Sequence, residues 1–171
     1  MASGVPESGL KFSEIEETAE EFARTYQFNP QRDDIRELVE KLNGQFKLTS
    51  DPMYQDGGSM RAWRAGHFII YLSPFTGVLR DNFTIAHELG HLNLHVPKYF
   101  EQNPTCEEVR VNRFGNDKPE LQANRFAAAL LMPNKAFTSI GQQTEWNIPA
   151  LSAWFSVSQS AAQYRADFLR R

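Results

Sequence analysis

The sequence predicts an α+β fold. The expected order is N-terminal helices, a small antiparallel sheet, two packed helices carrying a His-Glu-x-x-His run, and a helical C-terminal tail. Three observations predict it. Apolar residues recur at helical spacing before position 43 and again over 120–131. Two strand-length apolar runs lie between those stretches. Turn-forming residues separate them all, and 171 residues suffice for one domain with a real core.

Taken in order, residues 1–12 read as a flexible leader, since they contain neither a basic n-region nor an apolar h-region. Ser13 and Glu16 make a capping-box pattern. Behind it Ile15, Ala19, Phe22, Ala23 and Tyr26 form one helical face that Asn29-Pro30 ends. A second helix is expected from Asp33 to Asn43, with Gly44 as its C-terminal cap. A short strand is expected at Phe46–Leu48, then a loop marked by Asp51-Pro52 and Asp56-Gly57-Gly58. Ser59–Arg64 and His67–Leu72 read as strands joined around Ala65-Gly66, the second inside the sheet because it is almost wholly apolar.

Asp81 or Asn82 can cap the helix that runs through the histidines and stops before Pro97. Residues 96–118 read as irregular apart from a strand at Glu108–Phe114. Pro119 suits the first turn of the next helix, which ends before Pro133. From Ile148 two short helices follow, with a break near Ser156–Ser158. The domain is expected to span 13–135, and 136–171 to form a helical segment with a helix-turn-helix character.

Composition excludes several functions. Cys106 is the single cysteine, so an internal disulfide and a cysteine-based metal cluster are both ruled out, and a reducing compartment, the cytoplasm, is expected. No apolar run reaches membrane length. A net charge of −3 gives no chain-wide attraction to nucleic acid, although Arg165, Arg170 and Arg171 cluster at the C-terminus. A DNA-reading tail would use Gln159, Ser160 and Gln163. With few basic residues nearby, a hairpin that packs on the core or meets a partner protein is favoured over DNA binding.

The chemistry concentrates in His87-Glu88-Leu89-Gly90-His91. Residues four apart on a helix share a face about one turn apart, so His87 and His91 can hold one metal ion. Glu88 sits where it can take a proton from a water acidified by that ion. A catalytic zinc needs a third protein ligand. His95 lies about 12 Å from His87 along a straight helix, too far to share the ion, and reads as a helix-end hydrogen-bonding residue. Glu120, Ala123, Asn124 and Ala127 form a stripe whose alanines allow close approach to the histidine helix. Glu120 is then the third ligand, and Asn124 supports a histidine N–H from behind. Zinc is the expected ion, with manganese or iron as substitutes for such N/O donors. Tyr54, His67 and Tyr71 carry groups suited to an oxyanion, and each suits a structural place as well.

The run Phe83-Thr84-Ile85-Ala86-His87-Glu88-Leu89-Gly90-His91, Leu94-His95, and then Glu120-x-x-Ala123-Asn124-x-Phe126-Ala127-Ala128-x-Leu130-Leu131-Met132-Pro133 resembles the ImmA/IrrE metallopeptidases, zinc peptidases of gluzincin type. The resemblance implies His87, His91 and Glu120 as metal ligands and Glu88 as catalytic base. It also implies a protein substrate, a helix-turn-helix repressor in a phage, mobile-element or stress regulon. Members often carry a second acid where this chain has Gln122. Helical geometry turns position 122 roughly 200° from Glu120, away from the alanine stripe. Two other expectations stand beside proteolysis: a regulatory binding protein that retains the metal fold, and a toxin-like partner of an antitoxin.

Overall fold

The computed structural model describes residues 4–51, 59–112 and 117–170. The elements, in order, are α1 (Phe12–Thr25), α2 (Ile35–Lys41), β1 (Gly44–Leu48), β2 (Ser59–Trp63), β3 (Phe68–Leu72), α3 (Val78–Leu94), α4 (Val96–Gln102), β4 (Glu108–Asn112), α5 (Lys118–Leu131), α6 (Asn134–Gln143), α7 (Ile148–Phe155) and α8 (Gln159–Leu169). The α+β class is the one expected. Tyr54, Gly57-Gly58, the Arg113-Phe114 end of the expected strand and Arg171 lie outside the described residues.

The sheet is mixed rather than antiparallel. Its order is β1-β3-β2-β4, with β1 running parallel to β3 from the Gly44–Phe68 pair and the other two pairings antiparallel. The chain between β1 and β2 is long enough to cross β3, which then occupies the centre; a tight hairpin would have forced an antiparallel neighbour. Gly44 opens β1 instead of capping α2. A Cβ there would sit 2.4 Å from the Phe68 ring and 2.6 Å from Val39 Cγ1, so glycine serves close approach, while Asn43 takes the left-handed backbone at φ 64°.

Several boundaries move because the expected capping groups are engaged elsewhere. Helix α1 starts at Phe12, with Glu14 Oε2 accepting from the Lys11 N–H at 2.7 Å. Glu16 instead binds Arg165. Helix α3 starts after Gly77, and Asp81 accepts from Thr76 Oγ1 at 2.6 Å and Arg36 Nη2 at 3.4 Å. Pro97 does not precede an irregular stretch; it sits in the first turn of α4, where its missing N–H costs nothing.

Helix α3 touches β2, β3 and α5, and α5 packs in turn on α1. The core between them contains Ile70, Ile85, Leu89, Phe126 and Leu130, all essentially inaccessible. Where α3 crosses α5, a Cβ on Gly90 would lie 3.1 Å from Ala123 Cα and 3.2 Å from the Ala123 oxygen. Gly90, Ala123 and Ala127 therefore let two backbones approach closely enough for short polar side chains to meet between them. Residues 4–11, expected in a leader, lie against the domain: Val5 is buried, Lys98 Nζ donates to the Glu7 oxygen at 2.8 Å, and Lys118 pairs with Glu7.

Candidate metal centre

His87, Glu88 and His91 are buried on α3, and Glu120 is buried in the first turn of α5. Asp117 fixes that turn, its side chain accepting from the Glu120 N–H at 3.2 Å. The side chains converge. His87 Nε2 is 3.1 Å from Glu120 Oε2, His91 Nε2 is 3.0 Å from Glu120 Oε1, and the two Nε2 atoms are 3.0 Å apart. Among the described residues these three form a group of possible metal ligands.

The donor set fits a divalent cation. Behind the ligands, His87 Nδ1 lies 2.9 Å from Asn124 Oδ1 and His91 Nδ1 lies 3.0 Å from His95 Nδ1. If those contacts take the Nδ1 protons, both Nε2 lone pairs and a carboxylate face one point with no proton between them. Burial pushes the Glu120 carboxyl up, but the two imidazoles outweigh it and hold the group below the ordinary carboxylate range. Burial also lowers His91 to about 4, so it is neutral near pH 7. With the protons on Nδ1, these three buried acceptors repel each other unless a cation lies between them. Ligands on a tetrahedral zinc at roughly 2.0–2.1 Å stand about 3.3 Å from one another, close to the separations seen.

His95 closes α3 and is buried, with its Nε2 3.0 Å from Gln122 Oε1. The geometric objection to His95 as a direct ligand agrees with this placement behind His91. Gln122 points away from the alanine stripe yet is fully buried, since His95 and residues 8–10 cover that side. Its participation had no local signal in the sequence. His67 is exposed and stacks on Trp63 at the β2–β3 turn, and Tyr71 lies across the sheet opposite Ser59. Neither is among the groups gathered at the centre.

Beside His87 opens a groove of about 540 Å³ lined by Arg80, Phe83, Thr84, Asn124, Ser160 and Tyr164. Helix α8 thus forms one wall. It is anchored by Arg165, which is fully buried and bound to Glu16 and the Met132 carbonyl. This residue, grouped in the sequence with Arg170 and Arg171 as a basic C-terminal end, is unable to reach a phosphate backbone.

The family profile Peptidase_M78, described as an IrrE N-terminal-like domain, matches residues 46–167. That span takes in most of α8. Among solved structures, a Mycobacterium tuberculosis transcriptional regulator superposes with a TM-score of 0.64 at 15% identity, over 93% of this chain and 48% of that one. The likeness is one of fold, and the chain spans about half the length of that regulator. No curated protein gives a significant match.

Proposed function

The chain belongs to the IrrE N-terminal-like family, and from that premise we propose that it is a zinc-dependent metallo-endopeptidase acting on a helix-turn-helix transcriptional repressor. The observation that carries the reading is the convergence of His87 Nε2, His91 Nε2 and Glu120 at 3.0–3.1 Å in a buried centre next to Glu88.

His87, His91 and Glu120 would hold the ion, three protein ligands being the number found in catalytic zinc sites. Bound there, the ion supplies Lewis acidity, polarising a scissile carbonyl and making water a nucleophile near neutral pH. Glu88 takes the proton of the attacking water and returns it to the leaving amine. Asn124 holds the His87 ring from behind, and the groove beside it gives an extended peptide a path between α3, α5 and α8.

The repressor as substrate is supported by the family resemblance and by the likeness in fold to a transcriptional regulator. Action in the cytoplasm follows from that substrate; among the described residues no helix is long and apolar enough to cross a membrane. The test is to incubate purified protein with the helix-turn-helix protein encoded beside its gene and to map products by mass spectrometry. Defined cleavage that chelator abolishes supports the proposal. An intact repressor bound stoichiometrically favours a regulatory or toxin-like binding protein instead.

A further inference from the structure

His91 is tied to the main chain of the N-terminal segment through two side chains, and every bond on the way has a determined direction. Gln122 meets two backbone groups. The Ser8 N–H can only donate and lies 3.0 Å from Gln122 Oε1; the Leu10 carbonyl can only accept and lies 3.2 Å from Gln122 Nε2. These two contacts settle which way the amide faces. Gln122 Oε1 therefore accepts from His95 Nε2, 3.0 Å away, which must carry the proton. His95 is fully buried and its ring contacts are an imidazole and an amide rather than a carboxylate, so the uncharged ring is the form that fits; protonated on Nε2, it has its lone pair on Nδ1. Across 3.0 Å, His91 Nδ1 must be the donor, which leaves the lone pair of His91 on Nε2, the atom facing Glu120.

We propose that Ser8 and Leu10, acting through Gln122 and His95, lock His91 in the tautomer that presents Nε2 to the metal centre. This makes Gln122 and His95 positioning residues, and docking of residues 8–10 a part of assembling the site. The inference rests on the reading of His91 as a ligand.

The backbone supports it. Gly9 has φ 83°, and the Leu10 N–H donates to Ser8 Oγ at 3.2 Å, so the chain turns sharply enough to aim a donor and an acceptor at one amide. The lock has one competitor. Glu120 Oε1 would accept a proton from His91 Nε2, but that tautomer turns the His95 and Gln122 acceptors against each other in a buried place. His87 is held differently: its Nδ1 meets Asn124, which is half-buried and whose amide can turn over to face either tautomer.

Nitrogen-15 chemical shifts of the imidazoles in metal-free protein near pH 7 give the tautomer directly, and zinc affinity is read by chelator competition. His91 protonated on Nδ1 before any metal is added is the expected result. Gln122→Met, which cannot orient His95, and His95→Leu, which removes the acceptor, should mix the His91 tautomers and weaken zinc binding by roughly 10–100-fold. His95→Gln keeps an oxygen toward His91 and an amide N–H toward Gln122, and should retain near-parent affinity. A packing role predicts the reverse order, with leucine tolerated better than glutamine. Parent His91 protonated on Nε2, or Gln122→Met binding zinc as tightly as the parent, overturns the proposal. If the apolar variants do not fold, the parent spectrum and His95→Gln still decide it. Neither readout requires peptide cleavage, so failure of the peptidase reading is seen separately.

Discussion

Among the described residues two buried charged clusters stand out, and they differ in how their charges are matched. At the α1–α8 contact, Arg165 is fully buried and its three nitrogens each meet an oxygen: Met132 O at 3.0 Å and the Glu16 carboxylate at 2.5 and 3.0 Å. Arg125 Nη1 adds a further contact to the same carboxylate at 3.4 Å, so charge there is matched by protein groups. At the α3–α5 contact, two imidazole nitrogens and a carboxylate converge with their outer partners already taken by Asn124 and His95. That cluster could hold a cation. Burial and charge alone therefore do not mark a candidate site; convergence of several donor atoms on one point does.

The largest expected effect falls on chemistry alone. Glu88→Gln keeps the side chain's size and removes its basic oxygen, so hydrolysis of the repressor should fall by roughly 10²–10⁴-fold. Zinc content and melting temperature should stay near the parent's. Unchanged relief of repression in cells by this variant would show that the biological output does not depend on proteolysis.

Opposite behaviour is expected from matched changes in the two clusters. Arg165→Leu leaves the Glu16 carboxylate with only the longer Arg125 contact, at 3.4 Å, and should cost up to about 3–5 kcal/mol of stability, read by denaturant unfolding. The folded fraction should still bind zinc normally. Glu120→Gln should act chiefly on the metal: a neutral amide is a poor zinc ligand, so zinc affinity should drop far more than stability does. Equal destabilisation by both would erase the distinction drawn above.

Acid provides a milder perturbation. Burial holds His91 and His95 at about 4 in the folded chain, against an ordinary value of 6.5. Between those values the unfolded chain binds more protons, so stability of metal-free protein should fall as pH drops from about 6.5 to 4. Above 6.5 these two groups add no slope. Melting temperature across that range in metal-free protein, with His95→Gln as the comparison, checks it.

The smallest effect concerns the tail. Gln159, Ser160 and Gln163 are exposed, but α8 walls the groove beside His87 and its one fully buried cation is spent on Glu16. DNA affinity should be weak and unspecific at physiological salt. A nanomolar, sequence-selective gel shift lost on changing Gln159 and Gln163 would show that α8 reads DNA.

What the sequence reveals is what helical periodicity encodes locally. His87 and His91 four apart, and the Glu120-Ala123-Asn124-Ala127 stripe, are visible because residues on one face of one helix suffice. Gln122 and Arg165 are not, since the partners that bury them lie 114 and 149 residues away in sequence. The same distance effect misplaces the start of α1: Glu16 looks like half of a capping box until Arg165 claims it. The parallel pairing of β1 with β3 is likewise hidden, because edge position depends on how the intervening chain crosses and not on the strand's own residues.

The central claim is that His87, His91 and Glu120 form a centre completed by one cation. Elemental analysis of purified parent protein and of the His87→Ala, His91→Ala double variant tests it most directly. About one zinc per parent chain is expected, with manganese or iron replacing it when supplied, and essentially none in the folded double variant. Metal equally abundant in both proteins would contradict it.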